Sequence, residues 1–349
     1  LTVMWHDHFA TSNLKVNDLG SMLHQNETFR RLARAPFGEL LKTSVHEPAL
    51  LVWLDAPANR KGHPNENLAR ETMELFTLGV GNYSESDVKE AARALTGWGV
   101  DEGEFRVKAT AHDSGPKTIL GKNGTWSGDD FVAMLHDHPA TAGRLAWRLC
   151  GLFFGEGALE PAAIQSLADD LRVHNLDIAR AVETILRSRA FFESNNLGNR
   201  VLAPVEFVVG AVRALDMADP PPSTLALADW AARLGQDLFY PPNVGGWPGG
   251  RAWITTRSAI GRANFAASLV AGPGVGRPEP FDALGLAKKF GRGDDDVIAF
   301  YGELFRGAPP TMAERERLLA ALRPVSNDAP ASARKALALL LAAPEGQLS

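Results

Sequence analysis

The chain has 349 residues, of which 45% are hydrophobic and 22% charged, so one large soluble-type domain or two ordinary ones with a sizeable core are expected. A formal net charge of -5 supplies no basic footprint for phosphate backbones, which argues against nucleic acid as the main partner. One cysteine, Cys150, excludes an internal disulfide framework and a cysteine-rich metal site, and no run approaches the roughly 20 apolar residues of a membrane span.

The chain begins at Leu1 inside a patterned segment, without methionine, and upstream sequence is expected to be missing. Its first motif, MWHDHFAT, places two histidines around an aspartate. On a strand His6 and His8 would share a face and could hold one divalent metal; on a helix they point about 200° apart. The helical reading puts Met4, Trp5, His8 and Phe9 on one face, with His8 as a semi-buried, hydrogen-bonded residue.

Next comes HPNENLARETMELFTLG, with proline near its start, Leu68, Thr72, Leu75 and Phe76 on one helical face, and Gly79 as a stop. The same helix carries Glu66, Arg70 and Glu74 at i, i+4 and i+8, with Glu71 beside them. That pattern is either a salt-bridge ladder or a carboxylate site; Glu71 and Glu74 could ligate a metal, but the Glu-x-x-His that helical di-metal sites add is missing. In SESDVKEAARALTG, Ser84 and Asp87 read as a capping box and Gly97 as a C-terminal signal. Arg93 and Trp98 flank that end and join the binding candidates.

From about Trp98 to Trp126 the runs FRV and TIL, separated by Gly, Pro and Asn, predict a small hairpin or an ordered loop. Within it His112 beside Asp113 is either an oriented base or ligand, or turn chemistry in which Asp113 bonds its own backbone. With Glu71, these two are the catalytic candidates. Helical patterns then run to the end, interrupted by QDLFYPPNVGGWPGGRAWITT. Trp247 there either stacks on a ligand or plugs the core. Walker A, Gly-x-Gly-x-x-Gly and Gly-x-Ser-x-Gly signatures are lacking.

The fold expected is all-α, a multi-helix domain spanning 1–349 with a short β-like insertion and a Gly/Pro/Trp-rich loop. A division into a motif-bearing part, 1–150, and a helical remainder, 151–349, is the alternative.

MWHDHFAT, PNENLARETMELFTLGVGNYSESDVKEAARALTGW, HDSGPKTILG, PVEFVVGAVRAL, GQDLFYPPNVGGWPGGRAWI and LALLLAAPEGQ together resemble the bacterial domain-of-unknown-function family 1800, from the first residues to the last few. The resemblance implies an exported protein, periplasmic or extracellular, whose gene neighbours one for a second exported protein, the implied partner. It brings no established activity. Two functions are carried forward: a hydrolase, metal-assisted through a divalent ion, acting on an envelope or extracellular substrate, and a non-catalytic binding or assembly module. The first needs the His6/His8, Glu66–Glu74 and His112-Asp113 segments to converge around a pocket.

Overall fold

A computed structural model describes residues 1–155 and 157–349. Among them lie eighteen α-helices, short 3-10 turns and two two-stranded antiparallel sheets, so the chain is predominantly α-helical with a small β insertion. Its contacts gather into two compact units, Leu1–Phe191 with Phe239–Trp247, and Phe192–Leu238 with Pro248–Ser349. Residue 150 falls inside a helix of the first unit.

The first unit begins with α1 (Thr2–His8), α2 (Asn13–Val16), α3 (Leu19–Arg31), α4 (Phe37–Val45) and α5 (Pro48–Trp53). Helix α6 (Asn67–Glu71) then runs on as a π-helical turn over Thr72–Thr77. The turn is marked by the Leu78 N–H, which donates to Met73 O five residues back at 2.7 Å. Two threonines stabilise it: Thr72 Oγ1 donates to Leu68 O and Thr77 Oγ1 to Thr72 O, both at 2.6 Å. A π turn inserts one extra residue and so rotates the remainder of the helix about its axis. Leu68, Thr72 and Phe76 are therefore buried as the periodicity predicts, but Met73 takes the interior place expected for Leu75, which is half-buried. The helix stops before Gly79, whose φ of +76° suits glycine.

Helix α7 (Glu85–Ala94) opens on the expected box: Ser84 Oγ accepts from Asp87 N, and the Asp87 carboxylate accepts from Ser84 N. The insertion folds as two hairpins, β1 (Trp98–Asp101) with β2 (Glu104–Val107), and β3 (Lys117–Ile119) with β4 (Lys122–Gly124). Four helices come after it: α8 (Gly128–Asp137), α9 (Pro139–Phe154), α10 (Pro161–Val173) and α11 (Ile178–Arg187). Proline opens α9 and α10, where its missing N–H costs no helical bond. The core holds Trp5, Phe9, Phe29, Phe37, Phe76 and Phe131, each buried. Every such side chain contributes about 1.5–3 kcal/mol by leaving water.

The second unit packs α12 (Pro204–Ala214), α13 (Thr224–Arg233), α14 (Thr256–Ala271), α15 (Ala283–Lys289), α16 (Val297–Arg306), α17 (Met312–Leu322) and α18 (Ala329–Ala342) around Phe207, Phe265, Leu269, Tyr301 and Leu337. Arg262 is buried there with no carboxylate partner among the described residues. It donates to Gln347 Oε1 at 3.0 Å and Leu202 O at 2.7 Å, and lies over the Phe207 ring. That clamp fastens the chain end beside the strand-like bridge between Val201 and Leu348.

Candidate functional site

Helix α1 decides the geometry of the histidine pair. His6 Nε2 meets Asn26 Oδ1 at 3.1 Å and its ring lies against Phe29 and Phe239. His8, 3% exposed, donates from Nε2 to Phe76 O at 3.0 Å among Trp5, Phe9 and Phe37. The two ring nitrogens thus serve acceptors on different elements, as residues two apart on a helix must, and the pair is not arranged to chelate one ion. Burial, then the charge of Arg148, holds His8 well below its ordinary pKa; burial also lowers His6. His8 is a neutral donor that satisfies a carbonyl left over at the helix end.

The residue between the histidines is the hub. Asp7 Oδ2 accepts from Arg148 on α9 at 2.9 Å, and Asp7 Oδ1 accepts from the Trp247 N–H at 2.7 Å. Trp247 is buried, which makes it a core plug. Gly246, with φ of +84°, is required before Trp247: a Cβ there would lie 2.3 Å from Asp7 Oδ1 and 2.6 Å from Asp7 O. Close backbone approach to a carboxylate is what GGW encodes.

Along α6 the carboxylate ladder is an ion-pair network. Arg70 forks onto Glu85 of α7 at 2.7 and 2.8 Å and reaches Glu66 at 2.9 Å, and these bonds raise its pKa further. Tyr83 O–H donates to Glu74 at 2.6 Å. The Glu71 carboxylate makes no protein hydrogen bond among the described residues, and burial followed by the charge of Glu74 raises its pKa. Arg144, on α9, sends Nε to Leu75 O at 3.4 Å beside the π turn.

The His112-Asp113 loop closes over the end of α7. His112 Nδ1–H donates to Thr96 O at 2.9 Å, which places the ring hydrogen on Nδ1 and the free lone pair on Nε2 in the neutral ring. Asp113 Oδ2 accepts from Arg93 Nε at 2.9 Å, while Oδ1 accepts from Gly115 N at 2.9 Å in a turn of its own making. The Arg93 bond holds the Asp113 carboxyl down at about 2. Arg93 also binds Glu90, and Lys117, buried, donates to the Asp113 and Gly115 carbonyls. Trp98 is buried edge-on against the stacked His46 and Phe105 rings, and Gly128 is required opposite it, since a Cβ there would sit 2.3 Å from the ring.

His8 and the His112-Asp113 loop consequently lie at opposite ends of the helix that carries Glu66, Arg70, Glu71 and Glu74. His8 touches the end of the π turn, whereas the His112 loop adjoins the start of α6 through Lys61 N to Ala111 O and Asn65 N to Asn59 Oδ1. Eleven residues of helix separate them, roughly 15 Å at helical rise. Among the described residues no three His, Cys, Asp or Glu side chains gather as a metal site. Asp7, Tyr83, Arg144 and Arg148 were not singled out from the sequence. Asp7 had a signal, its position at the centre of the H-x-H motif, but the arginines lie in an ordinary amphipathic helix.

These features define a helical protein in which charged and aromatic motifs near the chain start tie α1, α6, α7 and α9 together. The family model for "Protein of unknown function (DUF1800)" matches residues 1–348, and the chain belongs to that family. Searches of curated proteins and of solved structures returned no match.

Proposed function

We propose that this protein is a non-catalytic binding or assembly module working with another exported protein, in the periplasm or outside the cell, a location that the family resemblance supports. One observation carries the reading. The side chains that would do chemistry are engaged in the protein's own hydrogen bonds: His8 on Phe76 O, Asp7 on Arg148 and Trp247, Arg70 on Glu85, and Asp113 on Arg93. A polar network of this kind fixes helix register. The test is metal content by plasma mass spectrometry, with thermal stability, on the protein and on His8→Ala and His112→Ala. The module reading expects no stoichiometric metal and a stability loss in His8→Ala. Near-stoichiometric metal lost from both variants would overturn it.

A hydrolase is the second reading, supported by His112, whose backbone-held Nδ1–H orients the ring with its Nε2 lone pair free on a half-buried loop. His112→Ala would then abolish turnover in an ester or peptide hydrolysis screen without loss of stability.

A further inference from the structure

We propose that Arg144, together with the exposed ring of Trp147, is a recognition site for a monoanionic carboxylate carried on an apolar group. This deepens the binding-module reading and rests on it for the source of the ligand.

Among the described residues Arg144 forms no ion pair. Arg144 and Arg148 stand one turn apart on α9, and Arg148 is neutralised by Asp7. Arg144 has only its long Nε bond to Leu75 O, and its two terminal nitrogens find no protein acceptor among the described residues. Glu74 is the opposite charge acting on it, yet the Glu74 carboxylate is held by the Tyr83 hydroxyl instead. Burial removes water from the guanidinium, and Arg148 adds like-charge repulsion; both lower its pKa. A half-desolvated guanidinium with open donors fits a planar oxyanion in the bidentate mode.

Its surroundings select among oxyanions. The guanidinium lies over Trp147 at 5.0 Å from the ring centroid, and Trp147 is 51% exposed, leaving aromatic surface free for an apolar group. The Gly79 turn passes close by, a Cβ there falling 4.0 Å from Arg144 Cδ, and the next residue, Val80, is 79% exposed. Glu74, whose charge already acts on Arg144, sets a negative background that penalises a dianion, so a carboxylate is preferred to phosphate.

Phenylacetate is the probe, titrated calorimetrically into the full chain, Arg144→Met and Trp147→Ala, with inorganic phosphate and phenylethylamine as comparators. A capped peptide with one Asp between apolar residues, and its Asn counterpart, form the second arm. The expected result is binding of phenylacetate ahead of both comparators, weakened at least about tenfold in Arg144→Met and less in Trp147→Ala. Circular dichroism and thermal melting establish that the variants fold, and Arg144→Lys, which keeps the charge without the fork, should fall between. Asp-peptide binding tighter than phenylacetate, lost in the Asn peptide and in Arg144→Met, places the carboxylate on a partner polypeptide. Phenylacetate bound through Arg144 with neither peptide bound keeps the site and overturns the partner reading. No binding of either, or binding unchanged in folded Arg144→Met, overturns the site.

Discussion

Removal of the Asp7 carboxylate tests the hub directly. In Asp7→Ala the Trp247 N–H loses a charged acceptor at 2.7 Å and Arg148 loses its carboxylate at 2.9 Å. Hydrogen bonds to charged groups contribute about 1.5–3 kcal/mol. Breaking a fully buried ion pair costs about 3–5 kcal/mol, but the Asp7 and Arg148 side chains are 25% and 19% exposed, so water relieves part of that. The expected loss is about 3 kcal/mol. Asp7→Asn keeps an oxygen for Trp247 and removes only the charge, for a loss of about 1 kcal/mol. A cycle with Arg148→Met should give a coupling near 1 kcal/mol. Urea unfolding by circular dichroism reads the midpoints, and hydrogen exchange reads the Trp247 amide. If Asp7→Ala stays within about 0.5 kcal/mol of the parent, or Asp7→Asn matches it with Trp247 unprotected in both, the hub reasoning is wrong.

Three further outcomes are expected. Gly246→Ala should destabilise by about 3 kcal/mol, from left-handed backbone strain and displacement of Asp7, whereas Gly245→Ala meets only Asn243 Oδ1 at 3.1 Å and should cost far less in the same unfolding assay. His8 is held neutral in the fold, so the unfolded chain binds more protons below its ordinary value of 6.5 and stability falls as pH drops through that value. His8→Gln keeps a donor for Phe76 O and should flatten the stability-pH slope between about pH 6 and 5 by up to about 1.4 kcal/mol per unit; an unchanged slope would contradict the assignment. The Asp113 carboxyl is depressed to about 2, so its stabilisation is present above its ordinary 3.8 and disappears as pH falls toward 2. Acid titrations of Asp113→Asn should lack that step, and the same step surviving would show that another carboxylate carries it.

What the sequence made legible is what depends on near neighbours. The Ser84–Asp87 box, the stop at Gly79 and the FRV strand are local choices of side-chain reach and backbone freedom, and all three stand in the structure. The placement of His8 on the inner face with Met4, Trp5 and Phe9 came from helical period alone. The π turn did not, because a helix with one extra residue has no compositional mark; its consequence, Met73 inside in place of Leu75, shows only when Leu78 N is seen to reach back five residues. Long-range pairing is the other limit. Asp7 meets Trp247 across 240 residues, and nothing in either segment names the other.

The same distinction separates the two arginines of α9. Arg144 and Arg148 read alike in sequence, four apart on an amphipathic helix, and an isolated helix would present them equally to water. Folding places the Asp7 carboxylate against Arg148, whereas among the described residues Arg144 has the weak Leu75 carbonyl as its one hydrogen-bond acceptor. A chain that pairs one guanidinium with a carboxylate drawn from its first helix, while the other is in no ion pair among the described residues, carries an electrostatic cost at the second that a bound carboxylate removes. The asymmetry belongs to the fold, and it is why the ligand site lies outside the histidine and carboxylate motifs that composition brings to notice first.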